Sequence, residues 1–296
     1  MKPPDPARVG KSLRRGLLLS WKTFRRRGRR GLPGPRNTGF DDAVHDLRSS
    51  ARRFHSLAYT LPRSASGKAV RRAMSLAERV LDWTGTLRDA AVEREGLKAI
   101  TRRNSKVARG LLPDLKDSHD REGRKLVRRL RSLSLGKANR RIRKFGKSLP
   151  DRGGCTIASK MVTAAFEEVL KSRQALDPTD SRSVHRLRIA LKRFRHVMEL
   201  FEPLLRLSSG GRTTSVRSLQ RTLGDLRDNE ILSAAISEHG KGAPPGLRDA
   251  AMALEKLERR HSSMMTSFLR SVDAILGSWK GAVESFRDAV SRSSKR

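Results

Sequence analysis

Two eleven-residue stretches carry the same side chains at the same intervals. Residues 44–54 read VHDLRSSARRF and residues 184–194 read VHRLRIALKRF, 140 positions apart. Counted from the histidine, His45, Arg48, Arg52 and His55 fall at offsets 0, 3, 7 and 10. His185, Arg188, Lys192 and Arg195 repeat those offsets. On a helix such residues share one face and span about 15 Å along its axis. Arginine offers phosphate oxygens a planar fork, lysine a movable point charge, and histidine a charge that titrates near neutrality. Single basic stripes are cheap in a chain with 66 Lys+Arg and 7 His, and long basic side chains ordinarily snorkel over a core edge. Two stripes in one register, each opened by one of seven histidines, indicate a shared task.

A second echo follows at a fixed distance. Residues 85–89 read GTLRD and residues 224–228 read GDLRD, placing Arg88 and Arg227 43 and 42 residues after the two histidines. From a neighbouring antiparallel helix both arginines would return toward the stripe. Asp89 and Asp228 would orient an arginine or a histidine through a charge-assisted bond, or serve as plain surface pairs.

Helices must position these groups. One basic helix is predicted over 8–27, ended by GRRGLPGPRNTGF. The next starts at Asp41–Asp42, with Val44, Leu47, Ala51, Phe54, Ala58 and Leu61 spaced 3, 4, 3, 4, 3, and Pro62 stops it. A helix over 66–91 offers Met74, Leu76, Val80, Leu81 and Leu87 to a core, and 94–147 holds one or two very basic helices. LPDRGG at 149–154 reads as a linker, after which helices are expected near 156–176, 182–205 and 212–237 and from about 247 to 292. They are separated by DPTDSRS, a Ser/Gly break at 208–211 and KGAPPG at 241–246. The stripe Val184, Leu187, Leu191, Phe194, Met198, Phe201, Leu205 repeats the earlier one, one residue away from the basic stripe. Four helix-sized segments per half, shortly connected, imply an all-α protein of two antiparallel four-helix bundles in tandem, 8–148 and 156–294.

Composition narrows the partners. A net charge of +36, spread along the chain, calls for a polyanion: nucleic acid, an anionic membrane or a chain of phosphates. Aromatic residues are only 4%, a poor supply of stacking platforms for single strands, so nonspecific nucleic-acid binding stands second. Cys155 is the lone cysteine, which excludes an internal disulfide and a thiol metal site. GLLLSW is too short to span a membrane and FRRRGRR follows it, so a cytoplasmic protein without cofactor or metal is expected. The first helix could lie on a membrane through Leu17, Leu18, Trp21 and Phe24, but burial of that face against Val44 is the simpler use. Scattered carboxylates and the absence of GxxxxGK[ST] point away from an enzyme.

The pattern H-x-x-R-x-x-x-[KR]-[KR]-x-[RH] followed by G-x-L-R-D, all duplicated, resembles the CHAD family, the histidine α-helical domains, over roughly residues 40–290. The resemblance implies two pseudo-symmetric four-helix bundles around a central basic cavity that binds inorganic polyphosphate, as at polyphosphate granules. Carried over by position, the lining is His45, Arg48, Arg52, His185, Arg188 and Lys192, with Arg88 and Arg227 from partner helices. Arg53 and Arg193 also match, although offset 8 turns them some 80° from the histidine. His55 stands where the family commonly has arginine, the counterpart of Arg195.

Overall fold

The computed structural model describes residues 5–100, 106–150, 153–205, 212–240 and 247–294. These form ten α-helices, one 3-10 turn at Arg63–Ala65 and no strand. The helices are α1 (Pro6–Arg30), α2 (Phe40–Tyr59), α3 (Lys68–Trp83), α4 (Gly85–Ile100) and α5 (Lys106–Arg131), then α6 (Leu135–Ser148), α7 (Gly154–Gln174), α8 (Ser181–Leu205), α9 (Arg212–Gly240) and α10 (Leu247–Ser294). The breaks expected at 208–211 and 241–246 lie outside the described residues, as do Asp151 and Arg152 of the expected linker.

The two site helices start where local chemistry dictates. Gly39 turns into α2 at φ +82, a left-handed conformation that favours glycine, and Asp41 and Asp42 complement the positive end of the helix. Asp180 caps α8: one carboxylate oxygen accepts the Arg182 N–H at 2.9 Å and the other that of Ser183 at 3.2 Å. Both apolar stripes then face inward. Val44, Leu47, Ala51, Phe54, Ala58 and Leu61 are buried, and so are Val184, Leu187, Leu191, Phe194, Met198 and Phe201.

The single helix predicted over 66–91 is two. It breaks at Thr84, whose hydroxyl donates to the Val80 carbonyl at 2.6 Å, a back-bond that bends helices. The Arg48 guanidinium consolidates the break by donating to the Leu81 carbonyl at 2.8 Å and to Thr84 Oγ1 at 2.6 Å. In the second half Leu223 stands where Thr84 does, and α9 runs on unbroken.

Helices α7 to α10 close a ring of contacts, each packed on the next and α10 on α7. Helices α1, α2, α3 and α6 close another. Between the rings α1 packs on α7 and α8, and α2 on α8, while α4 packs on α9. One hydrophobic core runs through both, from Val9 to Val290, and a smaller one around Leu97, Leu232, Ile236 and Leu257 extends it. Leu17, Trp21 and Phe24 of α1 are buried in the main core, with Trp21 edge-on to Phe54 at 5.1 Å. Helix α1 lies close against the second half: a Cβ on Gly154 would sit 2.3 Å from the Gly10 Cα. No helix among the described residues is long and apolar enough to cross a membrane.

Candidate functional site

Because α2 packs on α8, the shoulder residues of one stripe face those of the other. Arg48 and Arg52 from α2 meet Arg188 and Lys192 from α8, near enough that Arg188 disfavours the charge of the other three, Arg48 that of Arg52, and Arg52 that of Lys192. None of these four cations has an ion pair among the described residues. Arg48 spends its bonds on neutral acceptors, Leu81 O and Thr84 Oγ1, and the buried Nε of Arg188 has no partner at all. Burial, then repulsion by Arg48 and Arg188, pushes Arg52 down to about 10. Burial, then Arg52 and Arg188, pushes Lys192 down to about 6. Four basic groups are held partly out of water without an ion pair, although Asp89 and Asp82 favour the charge of Arg48, and Asp228 and Glu230 that of Arg188.

Arg88 on α4 and Arg227 on α9 return to this cluster, as their spacing predicts. Arg88 donates from one nitrogen to both oxygens of Asp228, each at 2.7 Å, so this aspartate serves the other half's arginine. Arg227 pairs with Glu230 at 3.0 Å. Asp89 lies near enough to Arg48 to favour its charge. His185 is pushed below its ordinary range by burial and then by Arg188, Arg227, Lys192 and Arg52. His45 is exposed, with Ser49 Oγ 3.4 Å from its Nε2. A cavity of about 510 Å³ opens beside the cluster, lined among others by His45, Arg48, Arg88 and Asp228.

The far end of each stripe is neutralised. His55 meets Glu78 at 2.9 Å, and Arg53 meets Glu199 at 3.2 Å. Glu199 also draws Arg217 at 3.2 Å and Arg195 at 3.6 Å. Arg193 is tied to Glu168 and lies 3.7 Å over the Tyr59 ring, a cation–π contact between the stripe helices. The structure therefore gathers Arg48, Arg52, Arg88, His185, Arg188, Lys192 and Arg227, with His45 at the mouth. It gives Arg53, His55, Arg193 and Arg195 to carboxylates. Sequence reasoning passed over His196, which burial drives well below its ordinary pKa and whose Nδ1 has no partner, and also Glu199. Glu199 stands four residues after Arg195, a spacing that could have found it.

Among the described residues no group of three or more His, Cys, Asp or Glu could hold a metal ion. Burial pushes the Cys155 thiol up to about 11, which keeps it protonated and unreactive. What the cluster can do is bind an extended anion, whose charges would replace the missing counterions. Asp228→Asn separates the two roles of its carboxylate. Thermal unfolding of that variant is expected at lower temperature by a few degrees, since Arg88 joins the unanswered charges. A polyanion titration should show tighter binding, about threefold to tenfold, because a competitor for Arg88 is gone.

The chain matches the family profile of the CHAD domain over residues 29–237. Two solved structures superpose on it. The crystal structure of the CHAD domain from the plant Ricinus communis does so at a TM-score of 0.64 and 15% identity, covering 98% of this chain and 92% of that one. PptA from Streptomyces chartreusis does so at 0.63 and 17%, covering 99% and 100%. At such identities the likeness is one of fold. Comparison with curated proteins gives no match.

Proposed function

The chain belongs to the CHAD domain family, and from that premise we propose that it binds inorganic polyphosphate between α2 and α8 without turning it over. The observation that carries this reading is the set of Arg48, Arg52, Arg188 and Lys192, half-buried side by side without a carboxylate among them. Polyphosphate has no bases to read. It needs a walled track of donors that grips several successive phosphates in lowered dielectric. We read the halves 8–148 and 156–294 as pseudo-symmetric, each supplying one row to that track. Arg88, Arg227 and the two stripe histidines would flank it, and the carboxylate-bound Arg53, His55, Arg193 and Arg195 would form its walls. Asp228 and Glu230 are already spent on arginines, which argues for holding polyphosphate over cutting it. The expected setting is the cytoplasm, at polyphosphate granules.

The test is a titration with polyphosphate of defined length, with tRNA at equal phosphate concentration as competitor. The parent is set against a variant with His45, Arg48, His185 and Arg188 changed to Ala. Polyphosphate should displace tRNA from the parent, and the variant should lose that preference while keeping its helicity. Equal competition by tRNA, unchanged in the variant, would overturn the proposal.

A further inference from the structure

Much of the positive charge lies outside the cleft. Between Asp5 and Asp41 the chain holds eleven Lys and Arg and no carboxylate, and between Glu122 and Asp151 it holds eleven more. These segments are neighbours, because α1 packs on both α5 and α6. Burial of Leu17, Trp21 and Phe24 turns Lys22, Arg26, Arg29 and Arg30 outward, where with Arg25 they line a depression of about 250 Å³. On α5, Arg121, Arg124, Arg128 and Arg131 are exposed along a second depression of about 360 Å³. Gly34 and Pro35, from the segment that leaves α1, line that second depression. None of these eight exposed cations has an ion pair among the described residues. Within a row the steps are mostly three or four residues, about 5–6 Å of rise. Half of the α1 row, Lys22 and Arg26, lies outside the family match, which begins at residue 29.

We infer that this face is a second anion surface, and that its ligand is the phosphate backbone of a nucleic-acid double helix. An anionic membrane would need an exposed apolar flank to settle into, yet the apolar side of α1 is in the core and only Leu19 stands out, 56% exposed. A single strand would need aromatic platforms, and the aromatic rings of α1, Trp21 and Phe24, are buried. Polyphosphate, being flexible, is better held by the walled cleft than by an open face. A rigid rod that carries its phosphates outside is what two open rows of arginine suit, and they bind it without reading sequence. The surface stands by itself; that it lets one molecule bridge polyphosphate to a duplex rests on the function proposed above.

The experiment uses the full chain, a mixed-sequence DNA duplex, polyphosphate, and vesicles containing phosphatidylserine. A surface variant carries Arg26→Glu, Arg29→Glu, Arg124→Glu and Arg128→Glu, with an Arg→Gln set as a control that cannot repel the duplex. A cleft variant carries Arg188→Ala and Lys192→Ala. Both surface sets should weaken duplex binding at least about tenfold and flatten its log–log salt dependence by ~0.9 per lost phosphate contact, leaving polyphosphate affinity within about threefold. The cleft variant should do the reverse. Duplex-coated beads should then capture labelled polyphosphate through the parent alone. The inference is overturned if duplex binding follows the cleft variant, or if the face governs vesicle binding and not duplex binding. If polyphosphate fails to bind at all while the duplex result holds, the proposed function falls and the surface remains.

Discussion

Replacing Arg52, Arg188 and Lys192 together by methionine is expected to raise the thermal midpoint of the free protein and to weaken polyphosphate binding at least about a thousandfold. For each of the three, burial is the first cause of a lowered pKa; neighbouring cations add to it at Arg52 and Lys192, whereas Asp228 and Glu230 partly oppose it at Arg188. The charged forms of Arg52 and Lys192 are therefore held at a cost that no ion pair offsets, and that of Arg188 at a cost that Asp228 and Glu230 offset only in part. Methionine keeps most of the length and the apolar stem while removing the charge, and such replacements of buried charges are often neutral or stabilising. The loss in binding follows from the contacts removed. A charge-assisted hydrogen bond contributes ~1.5–3 kcal/mol, and three of them exceed the ~4 kcal/mol that a thousandfold change requires. Circular dichroism melts in phosphate-free buffer and a titration with defined-length polyphosphate check both halves. A variant that melts lower and binds unchanged would show that these residues are scaffolding.

At pH 7.5, polyphosphate binding is expected to draw in close to one proton per protein molecule. Lys192 of the free protein titrates near 6, so at pH 7.5 it is mostly neutral. Phosphate oxygens beside it restore the charged form and move its pKa back toward that of an ordinary lysine, about 10.4. The bound state then holds more protons than the free state between those two values. Affinity accordingly rises as pH falls from about 9 to 6, and levels off below 6 where Lys192 is already charged. Stability of the free protein runs the other way. The unfolded chain binds the Lys192 proton throughout the window above pH 6 and the folded chain does not, so stability rises with pH there. His185, lowered by burial and then by Arg188, adds the same sign below its ordinary pKa. Calorimetry in buffers of unlike ionisation heat measures the uptake directly. Lys192→Met should abolish it, and uptake that survived in that variant would assign the proton elsewhere.

That assignment differs from what the letters suggest. From sequence the histidines are the groups expected to titrate, since lysine ordinarily does so far above neutrality. Only the packing of α8 against α2, which sets Lys192 beside Arg52, makes a lysine the responsive group. The stripes themselves were legible because a core-facing helix repeats its apolar letters every three or four residues, and Leu47, Ala51, Leu187 and Leu191 sit buried where that period puts them. One position past each of these letters is a shoulder, so Arg48, Arg52, Arg188 and Lys192 could be placed. Which cations would be neutralised could not be read, because Glu78 and Glu168 reach the stripes from α3 and α7. The break at Thr84 was hidden for a similar reason. Threonine is tolerated within helices, and the arginine that takes the Leu81 carbonyl comes from 33 residues upstream.

Helix α1 also sets a schedule for folding. Gly10 and Gly16 lie against Gly154 of α7 and Leu200 of α8, so part of the seat of α1 is built from the far half of the chain. During synthesis α7 emerges roughly 150 residues after α1, about ten seconds or more at ~5–20 residues per second. Contacts of such sequence separation raise the contact order and slow the final closure. The buried face of Leu13, Leu17, Trp21 and Phe24 must wait, partly covered by α2 and α6, until the second ring arrives. Each ring closes on itself, yet each covers a face of the other. Residue 29, where the family match begins, is accordingly not a place to cut: a fragment starting there would leave the first ring without a wall and uncover the faces of α7 and α8 on which α1 packs.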